Sequence, residues 1–173
     1  KDFHEKNGKR GAMISAVDLL KGIAVGTNMD TIVVEGANGG LHTNYDGKMR
    51  AALDALLKQD YDFVYIHIEA PDEMGHQGLV KEKIMAIENI DHFVVKPLVE
   101  ELNQSGEDYR MLILPDHPTP IRVRTHTSSP IPYLLYDSTK KLGSHESYHE
   151  KEGEKSGILH KHGHRMMDYL LEN

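Results

Sequence analysis

No cysteine occurs in the 173 residues, which excludes a disulfide framework, cysteine-ligated zinc and a thiol nucleophile, and leaves histidine and carboxylate as the reactive groups. Basic charge is also short. Twenty Lys+Arg stand against 27 Asp+Glu, a net charge of −7, and no Lys/Arg run occurs. Duplex nucleic acid is therefore not the expected partner, because phosphate contacts need clustered cations. A small anionic substrate needs only a few local cations and stays open. Long apolar runs are missing too: every stretch falls short of the ~20 residues that span a bilayer. The opening KDFHEKNGKR lacks the apolar core of a signal peptide. We therefore expect a soluble, cytoplasmic chain with no membrane partner, and the sequence leaves its oligomeric state open. Lys1 stands where an initiator methionine would, which reads as a processed chain or an excised segment. What the chain does have is histidine, twelve of them.

The length fits one domain or a large piece of one. Met13, Ala16, Val17, Leu19, Leu20 and Ile23 recur mostly at three- and four-residue intervals, predicting an amphipathic helix over 13–23. Residues 31–34 (TIVV) predict a buried strand, followed by a glycine-rich turn at 36–40. Met49, Ala52, Leu53, Leu56 and Leu57 mark a second helix, opened by Asp46-Gly47. A second strand is predicted over 63–68, then a loop over 69–78. A long helix carries Ile84, Ile87, Ile90, Val94, Leu98 and Leu102, with a kink or restart at Pro97. Further strands are predicted over 111–114 and 131–136, an exposed loop over 137–156, and a closing helix over 158–171 that Gly163 weakens. Strands alternating with helices at this spacing predict an α/β fold with a mainly parallel sheet flanked by helices.

Ligands in open α/β sheets collect at the carboxyl ends of strands, and two loops in that position carry metal-ligand chemistry. In the first, Asp72 and His76 are four residues apart, so one helical turn would bring both to one side. A carboxylate and an imidazole so placed can share a divalent ion. Asp72 taken alone equally suits a helix cap, and His76 an exposed turn. In the second loop Asp116 and His117 sit between Pro115 and Pro118, and proline stiffens the presentation. That loop equally suits a proline-rich turn with an Asx cap. A third segment sets His126 close to Arg122 and Arg124, a pairing of imidazole for metal and guanidinium for phosphate that also suits a solvated basic loop. His160, His162 and His164 would point in different directions on a helix, and His145 and His149 lie in a polar loop. His67, inside a strand pattern, reads as a packed core histidine. The segment EGANGG lacks the spacing of a Walker loop or a dinucleotide fingerprint.

The segments GANGGLHTNYDGK (36–48), HIEAPDEMGH (67–76), LPDHPTP (114–120) and RTHT (124–127) closely resemble the archaeal-type, cofactor-independent phosphoglycerate mutase family of the alkaline phosphatase superfamily. The resemblance implies an alkaline-phosphatase-like core holding two divalent ions (manganese, magnesium or zinc). Asp72, His76 and His126 would ligate one ion, and Asp116 and His117 the other. It implies interconversion of 3-phosphoglycerate and 2-phosphoglycerate through a phosphoenzyme, with Arg122 and Arg124 holding the substrate's carboxylate or phosphate. Family members carry an N-terminal part with the nucleophile and an inserted substrate domain, neither of which is matched here. Residues 1–173 would then be the C-terminal part of the metalloenzyme domain, inactive alone, since Ser15, Ser128 and Ser129 fall elsewhere in the pattern. Some members resemble homoserine kinases, which would use the same ligands with ATP. A plain phosphatase and a noncatalytic metal-binding module are the remaining alternatives.

Overall fold

The computed structural model describes residues 2–140 and 147–171. In chain order its first half runs α1 (Phe3–Asn7), β1 (Gly11–Ile14), α2 (Asp18–Gly26), β2 (Asp30–Thr31), α3 (Tyr45–Lys58), β3 (Phe63–Ile66) and α4 (Ala70–Gln77). Then come α5 (Val80–Ile90), a π turn (Asp91–Val95), α6 (Lys96–Ser105), β4 (Arg110–Ile113), β5 (Leu134–Asp137), α7 (Glu150–Lys155), a 3-10 turn (Gly163–Arg165) and α8 (Met166–Leu171).

The fold is α/β. Three parallel strands run in the order β2-β1-β3, with Ala12 opposite both Asp30 and Val64. All four residues of β1 are buried. A strand covered on both faces reads as an unbroken apolar run, so Met13 and Ile14 were merged by periodicity with the helix behind them. The predicted helix over 13–23 is corrected accordingly: those two residues are strand, and α2 begins at Asp18. The strand predicted as buried over 31–34 is an edge. Only Asp30 and Thr31 pair with β1, Ile32 and Val34 pack on the core, and Val33 is 85% exposed.

Helix α3 starts at Tyr45 because Asn44, rather than Asp46-Gly47, caps it: Asn44 Oδ1 accepts from the Gly47 N–H at 2.8 Å. The long predicted helix restarts as expected. Pro97 lies in the first turn of α6, and a five-residue π turn precedes it, resetting the ladder where proline has no N–H to give. Tyr45, Met49 and Ala52 of α3 meet Val94 and Leu98 over Ile14, forming the core. The predicted loop over 69–78 is largely helix α4. Pro71 is tolerated in its first turn, and Gly78, at φ 75°, closes it in the left-handed conformation.

Strands β4 and β5 pair antiparallel, Arg110 opposite Asp137, and form a ladder of their own. The predicted closing helix shrinks to the 3-10 turn and α8, because His160, Lys161 and His162 supply no apolar stripe and Gly163 interrupts the rest. The polar stretch predicted as a loop contains α7, and residues 141–146 of it, His145 included, lie outside the described residues. Among the described residues no helix is long and apolar enough to cross a membrane.

Candidate metal centre

The chain after β3 turns directly into α4, which carries Asp72 and, one turn on, His76 on the same side. The Asp72 carboxylate oxygen Oδ2 lies 3.2 Å from His76 Nε2, and its Oδ1 lies 3.3 Å from His126 Nε2. The two Nε2 atoms stand 3.1 Å apart. A tetrahedral divalent ion holding such ligands at about 2.0–2.2 Å separates them by about 3.3–3.6 Å. The trio therefore fits an ion with little movement. Among the described residues it is also the set of three or more metal-type side chains whose ligand atoms fall within 4.8 Å of one another.

His76 is oriented from behind. Its Nδ1 faces the Arg124 carbonyl at 3.0 Å, and since a carbonyl only accepts, Nδ1 is the donor there and Nε2 is the nitrogen left on the Asp72 side for a cation. Arg124 holds that carbonyl in place with a left-handed backbone, φ 56°.

Asp116 and His117 follow β4. His117 Nε2 lies 3.4 Å from Asp116 Oδ2, and the His117 ring lies against that of His126, tilted by 32° with centroids 3.6 Å apart. Its other nitrogen, Nδ1, is 4.0 Å from Asp72 Oδ1, so all five sequence-predicted ligands are brought into one cluster. Arg122 is exposed on the turn that follows Pro120. The Arg124 guanidinium lies over Gly78, close enough that a Cβ there would sit 2.5 Å from its Nε. Among the described residues the other histidines singled out in the sequence are engaged elsewhere: His160 Nε2 is 2.9 Å from the Tyr133 hydroxyl, and His149 caps α7.

Four residues next to the cluster went unremarked in the sequence. Thr119 is 4% exposed, and its hydroxyl donates to Asp72 Oδ1. Lys83 of α5 donates to the Thr119 carbonyl at 2.7 Å, and burial pushes its ammonium below the ordinary lysine pKa, against the pull of Asp72. Lys48 is 1% exposed and donates to the His67 carbonyl at 3.0 Å; burial lowers its pKa while Glu69 opposes. Burial raises the Glu69 carboxyl, and Glu73 and Asp72 push the same way, so carboxylates are crowded here. That crowding favours a cation. The Glu69 carboxylate lies over Gly39, where a Cβ would have to push that side chain aside. His67 is part-buried beside the Ser15 hydroxyl at 3.3 Å, as a packed histidine, and burial lowers its pKa. The signal that could have found Lys48 is a lysine on the apolar face of a helix.

The family model of the Metalloenzyme superfamily matches residues 1–173. A Geobacter sulfurreducens protein named as a probable 2,3-bisphosphoglycerate-independent phosphoglycerate mutase is 46% identical over 171 residues, 98% of this chain and 42% of that protein. The Methanosarcina mazei protein named 2,3-bisphosphoglycerate-independent phosphoglycerate mutase is 47% identical over 157 residues, 91% of this chain and 39% of its own. The chain thus spans about two fifths of the length of these curated relatives. A solved structure from Pyrococcus horikoshii superposes with a TM-score of 0.85 at 28% identity, over 99% of this chain and 50% of that one. The cofactor-independent phosphoglycerate mutase of Thermoplasma acidophilum shares the fold, with a TM-score of 0.66 at 22% identity over 99% and 38%.

Proposed function

The chain belongs to the Metalloenzyme superfamily, and on that premise we propose that it supplies metal-ligand loops of an isomerase that interconverts 3-phosphoglycerate and 2-phosphoglycerate. The observation that carries the proposal is the convergence of Asp72 and His76 of α4 with His126 of a distant loop, with Asp116 and His117 alongside. The names of the relatives supply the substrate. In this reading Asp72, His76 and His126 hold one divalent ion, Asp116 and His117 contribute to a second, and the family's usual manganese, magnesium or zinc fills both. When bound, such ions lower the pKa of an attacking hydroxyl and neutralise the phosphoryl oxygens.

The chain's own residues do the rest of what is proposed here. Asp72 presents both carboxylate oxygens, one to each histidine, and the Arg124 carbonyl keeps His76 in the ligating tautomer. Arg122 and Arg124, on the same segment as His126, are proposed as the cations for the substrate's carboxylate or phosphate. The phosphoryl group passes from one substrate hydroxyl to a protein hydroxyl outside these 173 residues and returns to the neighbouring substrate hydroxyl. The isolated chain is then inactive, and the whole protein works in the cytoplasm on a small phosphorylated substrate.

Phosphorus NMR tests this on the full-length protein with manganese and 3-phosphoglycerate. Growth of the 2-phosphoglycerate signal is expected. Phosphohomoserine from ATP and homoserine, inorganic phosphate alone, or no turnover at all would each overturn the mutase assignment.

A further inference from the structure

We propose that Thr119 is a positioning residue of the metal centre, whose single hydroxyl sets Asp72 and His117 at once. The inference rests on the metal-centre reading above. An ionised carboxylate can only accept, so the Thr119 hydroxyl spends its one proton on Asp72 Oδ1. Its oxygen is then left as an acceptor, and His117 Nδ1 lies 3.4 Å away. A proton on His117 Nδ1 leaves Nε2 bare, and Nε2 is the nitrogen that faces Asp116 Oδ2 at 3.4 Å. One hydroxyl thereby orients a ligand of each proposed ion.

The placement of Thr119 is itself enforced. Lys83 holds its carbonyl at 2.7 Å from α5. On α4 the residue beneath is Gly75, where a Cβ would come within 2.6 Å of the Thr119 carbonyl and 3.0 Å of its Cγ2. Only a bare Cα lets Thr119 approach this closely. A threonine locked by a lysine and a glycine, hydrogen-bonded to one ligand and two residues along the chain from another, is built to hold rather than to fill space. Outer groups of this kind typically change metal affinity by about 10–100-fold when removed.

The test is cobalt(II) titration of the full-length protein by calorimetry and by the visible absorption of the bound ion, for the wild type, Thr119→Val and Thr119→Ser. Valine keeps the shape and loses the hydroxyl; serine keeps the hydroxyl and loses the methyl. We expect Thr119→Val to weaken cobalt binding by about 10–100-fold and shift the absorption bands, with Thr119→Ser within a few-fold of the wild type. Wild-type affinity and spectrum in Thr119→Val overturn the proposal. So does a Thr119→Ser variant weakened tenfold or more, which would assign the effect to the methyl group and remains readable should the valine variant not fold. A wild-type chain that takes up no cobalt sinks the metal-centre reading together with this one, whereas a wild type that binds beside an unaffected Thr119→Val sinks this one alone.

Discussion

Replacing the glycine at the heart of α4 by alanine sets two well-understood effects against each other, and the structure decides between them. Alanine in a helix interior is favoured over glycine by about 1 kcal/mol. At Gly75 that gain meets an obstruction: the new methyl would lie 2.6 Å from the Thr119 carbonyl oxygen, 2.9 Å from Lys83 Nζ and 3.0 Å from Thr119 Cγ2. Forcing a methyl into a packed site costs about 1–3 kcal/mol. Pushing Lys83 off the Thr119 carbonyl adds about 1 kcal/mol for the lost hydrogen bond. The net is a loss of about 1–3 kcal/mol after the helix gain, or a fall of about 2–12 °C in the midpoint for a chain of this size. Gly22 is the internal control, because it lies in α2 with nothing within 4 Å of the position a Cβ would take. There the same substitution should raise stability by about 0.5–1 kcal/mol. Thermal unfolding followed by circular dichroism, in chelator so that no ion contributes, compares Gly75→Ala with Gly22→Ala. A Gly75→Ala midpoint at or above that of the wild type would refute the packing of α4 against the Thr119 loop.

Manganese at a hundred times its dissociation constant should stabilise the wild-type chain by about 2.7 kcal/mol, a rise of about 5–11 °C; Asp72→Asn should show no such rise, and an equal rise in both would place the ion elsewhere. Lys48 offers a pH test. Its pKa lies below the ordinary lysine value because of burial, so between the two values the unfolded chain binds more protons than the folded one, and stability climbs with pH across that alkaline window. The stability difference between wild type and Lys48→Met, from urea titrations at rising pH, should therefore move in favour of the wild type; a flat difference would mean that the ammonium is not buried in solution.

What was legible in the sequence follows from how far each signal reaches. Asp72 and His76 could be paired because a helix places residues four apart on one side. Asp116 and His117 were conspicuous through their flanking prolines. That His126 joins Asp72 across 3.3 Å rested on family resemblance, since nothing local in either segment encodes the meeting of α4 with a distant loop. Lys83 and Thr119 were invisible for a similar reason: each acts through a backbone carbonyl or a hydroxyl, and those partners leave no pattern in residue type. In the fold, periodicity found α3 and the restart at Pro97, where long apolar stripes carry the signal. It failed at β1, a four-residue strand buried on both sides and followed at once by helix, and it shifted strand ends where ladders fray. Exposure of Val33 depended on strand order, which residues 31–34 do not contain.

The histidines that meet across 3.1 Å are 50 residues apart along the chain, and that separation has a kinetic side. Parallel pairing of β1 with β3 through α2 and α3 offers no hairpin from which the structure could grow, so its contacts close late and at the expense of a long loop. The half-site on α4 can form early, from one helical turn; His126 arrives only when the distant loop docks. A cation added during refolding should therefore leave the early phase untouched and slow unfolding instead, acting as a clasp fastened last and released first.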